Sequence, residues 1–284
     1  MREELCQRIF LDIEEESLPE SIERAYTIVP FDSGIEQSWK NVNARISMTG
    51  NPEKMKKMLH FEEDAILISS SNDHLELAEC AGIATLGLER DIRIFSNYVI
   101  QDMDALSPEY IEGVYRRCHE LSWDIAETKR LWIRETEEED LSDLIRIYKD
   151  KELLRFLPPM EDYESEYQKL LAYQKNVYGL LEFGIWSIVS KESERVIGKV
   201  GFELKDFQGE AVPDLGYVIA SEQRRCGYAA EACQAALAWM KEHTEYQKIT
   251  CRIAEENKAS IALAEKLGFK KTEEKEIYLL SEAT

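Results

Sequence analysis

The sequence lacks three features that define large classes of protein: a long apolar run, closely spaced metal-ligand pairs and an excess of basic residues. No run approaches the roughly 18–20 apolar residues of a membrane helix, and the longest, such as 65–68, are of strand length. With 35 Lys and Arg against 56 Asp and Glu, the net charge is −21. This charge argues against nucleic-acid and anionic-membrane binding, since both need a basic face.

Cysteine and histidine are also sparse and scattered. The six cysteines form no CxxC pair, and the four histidines lie far apart. We therefore expect neither a metal site nor a disulfide framework. The acidic start, Met1–Cys6, lacks the basic-then-apolar order of a signal peptide. The expectation is a cytoplasmic protein with reduced thiols.

The length of 284 residues, 44% of them hydrophobic, predicts two domains. We place the boundary near residue 125, giving domains 1–125 and 126–284. Alternating strands and helices predict a parallel Rossmann-like α/β sheet in the first domain. Its predicted strands are Tyr26–Val29, Ala44–Met48, Ala65–Ser70, Ile83–Leu88 and Tyr98–Gln101, and its predicted helices are Ile35–Val42, Pro52–Leu59, Asp73–Ala81 and Pro108–Cys118.

The second domain has a different order of elements, which predicts an α+β fold with a mixed sheet. A polar stretch, Leu121–Lys129, precedes it, and the loop Lys205–Pro213 is expected to separate two of its strands. The predicted strands are Leu131–Glu135, Gly184–Ser190, Arg195–Leu204, Leu215–Ala220, Lys248–Ala254 and Lys270–Leu280, and the clearest predicted helices are Glu137–Tyr148, Tyr163–Tyr178, Gly227–His243 and Lys258–Leu267.

The segment Gly216–Ala232 joins an apolar strand to a helix of small residues through a basic turn. The first N–H groups of a helix have no intrahelical partner, and the helix dipole adds positive charge there. Gly227 and Ala229 would let a diphosphate approach these donors, while Arg224 and Arg225 would add charged contacts. The turn is neither a P-loop nor a dinucleotide fingerprint.

Arg224-x-x-Gly227-x-Ala229 resembles the acetyl-CoA motif of the GNAT superfamily of N-acetyltransferases. Two downstream segments, Glu256–Ser260 and Glu265–Phe269, resemble its second signature, closest to the branch of ribosomal-protein N-terminal acetyltransferases. The resemblance covers about residues 130–280. It implies that the backbone groups of Val218 and Ala220 pair with pantetheine. The full set of cofactor-binding residues that it implies is Val218, Ile219, Ala220, Arg224, Arg225, Cys226, Gly227, Tyr228, Ala229, Asn257 and Ser260.

Two positions depart from that pattern. Arg225 and Cys226 follow the first arginine where a glycine is frequent, and we interpret Cys226 as a space-filling residue rather than a nucleophile. Ala264 stands where many relatives carry a tyrosine that protonates the leaving thiolate. Ser260 or water would then supply the proton, or the thiolate would leave unaided because a thiol pKa near 8.5 makes it a fair leaving group.

Carboxylates near the strand that borders the CoA groove are the candidates for the catalytic base. Asp214 is the best placed, and Glu203 at the end of the preceding strand is the second candidate; a solvated carboxylate explains either residue as well. The acceptor side is expected in Leu153–Tyr163, whose acids equally suit a solvated helix start. The aromatic residues Trp186, Phe202, Tyr217 and Trp239 are expected in the core.

In the first domain, Ile66–Ala78 followed by Ala81–Thr85 resembles the last part of haloacid-dehalogenase-like (HAD-like) hydrolases. The acidic magnesium positions of that family fall on Ser70 and His74, and its lysine position falls on Asn51. Phe31-Asp32-Ser33-Gly34 offers one aspartate after a strand and no second. Because Mg²⁺ needs carboxylates, we expect a non-catalytic domain in which Ser69–Asn72 cap the following helix.

The sequence thus predicts an acetyl-CoA-dependent N-acetyltransferase without a metal. An amine would attack the thioester directly, through a tetrahedral intermediate whose oxyanion is held by a strand N–H near Ile219. The acceptor, a protein N-terminus, a polyamine or a small-molecule amine, stays open, as does the oligomeric state. The alternatives are a non-catalytic acyl-CoA-binding sensor and a HAD-like phosphatase.

Overall fold

The computed structural model describes residues 5–13, 18–47, 64–119 and 121–281. The chain divides into two compact units, with the division between Trp123 and Asp124. Each unit has its own sheet, five-stranded in the first and eight-stranded in the second. Across the described residues, no helix combines the length and the apolar character needed to span a membrane.

The N-terminal unit is a parallel sheet with strand order β2-β1-β3-β4-β5. Every residue of β3 and β4 is buried, as expected for strands covered on both faces. Alternate residues of β3 therefore enter two different cores, Ile66 and Ile68 in one, Ala65 and Leu67 in the other. The strands are β1 Arg8–Asp12, β2 Thr27–Pro30, β3 Ala65–Ser69, β4 Ala84–Leu88 and β5 Val99–Ile100, and the helices are α1 Glu20–Ala25, α2 Ser33–Ser47, α3 Asn72–Ala81 and α4 Pro108–Cys118.

Local capping defines the ends of α3. The side chain of Ser71 accepts a hydrogen bond from the His74 N–H at the start, and Gly82 ends the helix with a φ of 83°. The predicted capping role of this serine-rich segment is confirmed.

The C-terminal unit is a mixed sheet with strand order β12-β13-β11-β10-β9-β8-β7-β6, in which β10 and β11 are the parallel pair. Helix α5 packs on one face through Leu144 and Ile147, against Val218 among others. The strands are β6 Asp124–Glu127, β7 Leu131–Arg134, β8 Ile185–Ser190, β9 Val196–Phe207, β10 Glu210–Ile219, β11 Lys248–Arg252, β12 Lys270–Lys271 and β13 Ile277–Ser281, and the helices are α5 Leu141–Ile147, α6 Tyr163–Tyr173, α7 Gly179–Leu181, α8 Tyr228–His243 and α9 Lys258–Lys266.

Several predicted elements are wrong or incomplete. Of the predicted strand Ala44–Met48, residues 44–47 belong to α2, which continues to Ser47, and Met48 lies outside the described residues. The expected loop Lys205–Pro213 is part of a long hairpin, whose turn has Gln208 and Gly209 at φ 57° and 83°. The polar stretch before the second unit contains β6, and neither β1 nor α1 was predicted. The predicted helix Pro52–Leu59 lies outside the described residues.

Candidate active site in the C-terminal unit

Strands β10 and β11 run parallel but separate almost at once. Their register pairs Asp214 with Thr250, and the described residues beyond this point form no further pair between the two strands. On its other edge, β10 stays paired with β9 as far as Ile219 opposite Gly198. The result is a slit in the middle of the sheet, bordered by the last residues of β10.

Backbone alternation decides which residues of β10 face the slit. The N–H of Ala220 donates to the Ile197 carbonyl at 2.8 Å, and the Val218 carbonyl lies beside Gly198, where an added Cβ would meet it at 2.0 Å. Both residues therefore point their backbone groups at β9. The direction of the backbone N–H and C=O groups alternates from one residue to the next in an antiparallel pair. The backbone groups of Tyr217 and Ile219 therefore face the slit.

This orientation differs from the one expected for Val218 and Ala220. The implied partners of the pantetheine were Val218 and Ala220, whose side chains are buried against α5 and whose backbone groups are directed to β9. The sequence alone does not show which alternate residues of β10 direct their backbone groups to β9. That choice depends on the register between the two strands.

Helix α8 begins directly after a left-handed turn. Arg225 and Gly227 have φ 63° and 84°, and Gly227 is the N-cap residue without a side-chain capping bond. The turn residues Arg225, Cys226 and Gly227 are exposed, Tyr228 is buried and Ala229 is half-buried. The first N–H groups of a 16-residue helix are thus presented at the surface, which is an arrangement suited to an anion.

Glu231 in the first turn of α8 ties this helix to the start of β7. Its carboxylate accepts from the Thr128 hydroxyl at 2.7 Å, from the Arg130 N–H at 3.0 Å and from Arg130 Nε at 2.7 Å. Arg130 also donates to the Cys226 carbonyl at 2.9 Å and lies 4.3 Å from the centre of the Tyr228 ring. The pKa of Glu231 is lowered, since these hydrogen bonds outweigh its partial burial. Arg130 was not predicted, because its role depends on residues about 100 positions away.

Arg224 does not face the turn in this structure. Its guanidinium is ion-paired with Asp150 and, at 3.0 Å, with Glu152, and its Nε lies 3.4 Å from the Ile219 carbonyl. The side chain expected to contact a phosphate is therefore bound here to the loop after α5. Cys226 is exposed, with its sulfur 3.5 Å from the Arg224 carbonyl, so its predicted space-filling role is wrong.

Asn257 and Ser260 lie at the start of α9. The Asn257 side chain caps this helix by accepting from the Ser260 N–H at 3.2 Å. Burial raises the pKa of the Tyr217 phenol to about 12, and the nearby Ser260 side chain opposes this shift. Tyr217 is half-buried and lies on the strand that borders the slit, so it was wrongly assigned to the core.

The other three aromatic residues do belong to the core. The ring of Trp186 lies 5.1 Å from that of Trp239 and 6.0 Å from that of Phe202, both in edge-on contact. Their predicted core position is confirmed.

Asp214 lies at the point where β10 and β11 separate. It accepts from the Thr250 hydroxyl at 2.7 Å and from Arg252 at 3.0 Å. Burial nevertheless raises its pKa, with these two interactions opposing the shift. Glu203 is directly opposite on β9, but it is exposed and paired with Lys205 at 2.8 Å. Of the two candidate bases, Asp214 has the more perturbed environment.

The expected acceptor segment Leu153–Tyr163 combines exposed apolar side chains with a helix cap. Leu154, Phe156 and Tyr163 are exposed, whereas Leu157 and Met160 pack against the α5 face. Asp162 caps α6 by accepting from the Ser165 N–H at 3.1 Å, and such hydrogen bonds lower its pKa. This acid is accounted for by the helix start.

A second cluster of polar side chains lies in the N-terminal unit. Asp12 ends β1 and accepts hydrogen bonds from Ser69, at the end of the neighbouring β3, and from His74 Nδ1 at 2.7 Å. Sequence reasoning missed Asp12 because it missed β1. Asp32, the single aspartate noted after a predicted strand, caps α2 by accepting from the N–H groups of Gly34 and Ile35.

The N-terminal unit has the parallel sheet that the HAD-like resemblance implies. The position matched to the family's lysine, Asn51, lies outside the described residues. Among the residues that are described, no three His, Cys, Asp or Glu side chains come together as a metal site.

Comparison with known proteins assigns the C-terminal unit. Residues 130–270 match the model of the acetyltransferase (GNAT) domain. An uncharacterized N-acetyltransferase of Bacillus subtilis, YjdG, is 33% identical over 91 residues, which are 32% of this chain and 54% of that protein. The uncharacterized N-acetyltransferase p20 of Bacillus licheniformis is 27% identical over 146 residues, 51% of this chain and 81% of the relative.

The solved structures that this chain is similar to include a putative ribosomal-protein-serine acetyltransferase from Vibrio cholerae. The two chains are 20% identical, and the match covers 56% of this chain and 97% of the Vibrio cholerae chain, with a TM-score of 0.47. The matched residues 130–270 contain the slit and the turn described above. These residues form a GNAT acetyltransferase domain.

Proposed function

We propose that the C-terminal unit transfers the acetyl group of acetyl-CoA to a primary amine, by direct attack of the amine through a tetrahedral intermediate. One observation carries the proposal: β10 leaves β11 after a single pair, and the same strand leads into the exposed start of α8. An extended pantetheine could pair with the free edge of β10 while its diphosphate meets the helix N-terminus. The GNAT domain match supports this use of the two features.

The residues present fit acetyl-CoA. The backbone groups of Tyr217 and Ile219 are directed to the slit, Gly227 has no side chain to obstruct a phosphate, and Arg225 is an exposed cation beside it. Asn257, which the family resemblance implies as a contact of the CoA arm, caps the start of α9. Acetyl-CoA supplies an activated thioester, and the N–H groups along the slit would stabilise negative charge that develops on its carbonyl oxygen.

The acceptor amine must lose a proton before it attacks. A lysine-type amine with a pKa of about 10.4 is neutral about once in 10³ molecules at pH 7, a handicap of roughly 4–5 kcal/mol. We assign proton removal to Asp214, whose pKa is raised by burial at the mouth of the slit. Glu203 remains the second candidate for this role.

Tyr217 is proposed to assist the leaving thiolate in place of the tyrosine that Ala264 replaces. Proton transfer from a phenol with a pKa of about 12 to a thiolate with a pKa near 8.5 would be uphill by roughly 5 kcal/mol. Tyr217 would therefore donate a hydrogen bond without giving up its proton, with Ser260 holding the phenol in place. The thiolate then leaves as an anion.

The non-catalytic sensor is the alternative for this unit, and one pair of measurements separates it from the enzyme. Calorimetric titration with acetyl-CoA tests the cofactor site, and a thiol-release assay over spermidine, amino acids and peptides with free N-termini tests turnover. Binding with turnover supports the transferase, and binding without turnover of any amine supports the sensor. A folded protein that does not bind acetyl-CoA would exclude both.

For the N-terminal unit we propose a HAD-like, non-catalytic domain that binds a ligand. Asp12 at the end of a central strand is the observation that favours the phosphatase alternative. Against it, the cluster provides a single carboxylate, bound to Ser69 and His74, whereas Mg²⁺ prefers several oxygen ligands. Mg²⁺-dependent phosphate release from p-nitrophenyl phosphate that Asp12→Asn abolishes would overturn the non-catalytic assignment.

A further inference from the structure

Lys199 is a lysine in the middle of the sheet of the C-terminal unit. It lies opposite Val218 on β10 and opposite Ser187 on β8. Directly opposed residues of antiparallel strands share a face, and Val218 packs against α5. Lys199 is therefore on the α5 face, one strand away from the slit.

The ammonium group of Lys199 has neither a hydrogen bond nor an ion pair among the residues that the structure describes. The residue is half-buried, and burial lowers its pKa, while Glu166, Asp140 and Glu203 oppose that shift. A buried charge without a partner is costly, so such a group favours an anion that can reach it.

The three neighbouring carboxylates are each bound to other groups. Asp140 accepts from Arg134 at 2.6 and 2.7 Å and from Ser187 at 2.8 Å. Glu166 is bound to Lys169 at 3.0 Å and to the Glu161 N–H at 2.9 Å, while Glu203 pairs with Lys205 at 2.8 Å. The three carboxylates near Lys199 thus have other partners, and none of them pairs with its ammonium group.

Next to Lys199, the α5 face of the sheet has two glycines, which place no side chains on it. Gly201 and Gly216 pair with each other in the neighbouring register position. A Cβ added to Gly216 would meet one atom within 4 Å, Ile185 Cδ1 at 3.9 Å. Along this face, the Lys199 position lies on one side of the glycine pair, and the paired positions Glu203 and Asp214 lie on the other.

We propose that Lys199 binds a carboxylate carried by the amine acceptor, so that the acceptor belongs to the class of amino acids and other amino-carboxylates. The acceptor's ammonium group would face Asp214 and Glu203 while its carboxylate faces Lys199. Uncharged amides of the same compounds would leave Lys199 without a partner. This inference rests on the proposed acetyl transfer, since it names the acceptor of that site.

The test compares matched acceptors with matched variants. Thiol release from acetyl-CoA is measured for glycine, serine, glutamate and lysine, each beside its amide, in the wild type, Lys199→Met and Lys199→Arg. The wild type should favour at least one free acid over its amide by about tenfold or more in kcat/KM, as expected for a charge-assisted hydrogen bond. Lys199→Met should reduce that ratio to about one, and Lys199→Arg should retain most of it.

Lys248→Met makes the same change at an exposed lysine on β11 and should leave the ratio unaltered. If Lys199→Met leaves the ratio of kcat/KM for acid and amide unchanged, the inference is overturned. An equal loss of kcat/KM on acids and amides in both Lys199 variants also overturns it and would make Lys199 a general base.

A second measurement does not require turnover. Modification of Lys199 by acetic anhydride is followed by mass spectrometry, with the same acids or amides present at 10 mM (about the upper range for weak acceptors). Protection by a free acid and not by its amide supports the site, and lack of protection by all four acids overturns it. Calorimetry with acetyl-CoA on the same samples shows separately whether the proposed acetyl transfer itself has failed.

Discussion

The guanidinium of Arg224 is bound to the carboxylate of Asp150, 74 residues earlier in the chain, and not directed at the turn before α8. The side chains are 32% and 19% exposed, so the pair is only partly shielded from solvent. A phosphate that recruits Arg224 would have to compete with this carboxylate. Asp150 therefore influences cofactor binding without lying on the motif that identifies the cofactor.

Asp150→Asn is expected to tighten acetyl-CoA binding several-fold, because it removes the less exposed of the two carboxylates that hold Arg224 and leaves only the exposed Glu152. The lost ion pair should cost about 0.5–1 kcal/mol of stability at this exposure. Calorimetry gives the affinity and thermal unfolding gives the stability. Asp143→Asn, which removes a carboxylate bound to Arg195, is the control. Weaker binding in Asp150→Asn would mean that Asp150 instead holds Arg224 in the binding geometry.

Gly227→Ala is expected to weaken acetyl-CoA binding by about tenfold or more, since the added methyl group stands where the diphosphate meets the helix. The left-handed backbone alone should cost about 1–2 kcal/mol of stability. Gly209→Ala separates the two effects, because Gly209 has φ 83° against 84° for Gly227 but has no atom within 4 Å of its added Cβ. Similar stability losses with a loss of affinity in Gly227→Ala alone are expected. If Gly227→Ala and Gly209→Ala bind acetyl-CoA with equal affinity, the cofactor does not approach the turn at Gly227.

The pH dependence of acetyl transfer should report the raised pKa of Asp214. If Asp214 accepts the proton, kcat/KM falls as the pH drops through its pKa, which lies above the ordinary value of 3.8. Thr250→Val removes a hydrogen bond that lowers this pKa, so the acidic limb should move to higher pH. Asp214→Asn should abolish the limb together with most activity. An acidic limb that stays in place in Thr250→Val would assign it to another group.

The same shift predicts how Asp214 contributes to stability. A carboxyl group whose pKa is higher in the folded state stabilises the fold fully below its unfolded pKa, and this contribution is lost as the pH rises through the folded value. Chemical denaturation of the wild type and Asp214→Asn at several pH values should therefore show the variant gaining relative stability towards neutral pH. A relative loss of stability there would mean that Arg252 and Thr250 dominate the environment of Asp214.

Tyr217→Phe is expected to lower kcat by about tenfold through loss of one hydrogen bond to the departing thiolate. Ser260→Ala should have a smaller effect, because it loosens the phenol without removing it. Tyr278→Phe, at a buried tyrosine on β13, is the control. Rates with acetyl-CoA under saturating amine make the comparison. A kcat unchanged in Tyr217→Phe would show that the thiolate leaves without this residue.

The sequence predicted local features well and long-range relationships poorly. The turn at Gly227 and the cap at Ser71 depend on neighbouring residues, so both could be predicted from local patterns. The pairing of Arg224 with Asp150 and of Glu231 with Arg130 depends on chain segments that meet only in the folded unit. No local pattern marks these contacts.

The same distinction explains the errors in the fold. The strand β1 is five residues long with a charged residue at each end, and it is defined by parallel pairing on both edges rather than by its composition. The segment 44–47 was mistaken for a strand although Ile35, Trp39, Val42 and Ile46 recur at helical spacing, and this signal was available. Pro213 suggested a loop, yet its missing N–H lies at the edge where β11 has only begun to pair.

Because one edge of β10 borders the slit, amide hydrogen exchange of this strand should report ligand binding. Amide protons of Val218 and Ala220 are held by β9 and should exchange slowly with solvent, whereas those of Tyr217 and Ile219 face the slit and should exchange quickly. A ligand that pairs with the strand would slow the second set and leave the first unchanged. Two neighbouring residues of one buried strand would then give opposite readings of the same binding event.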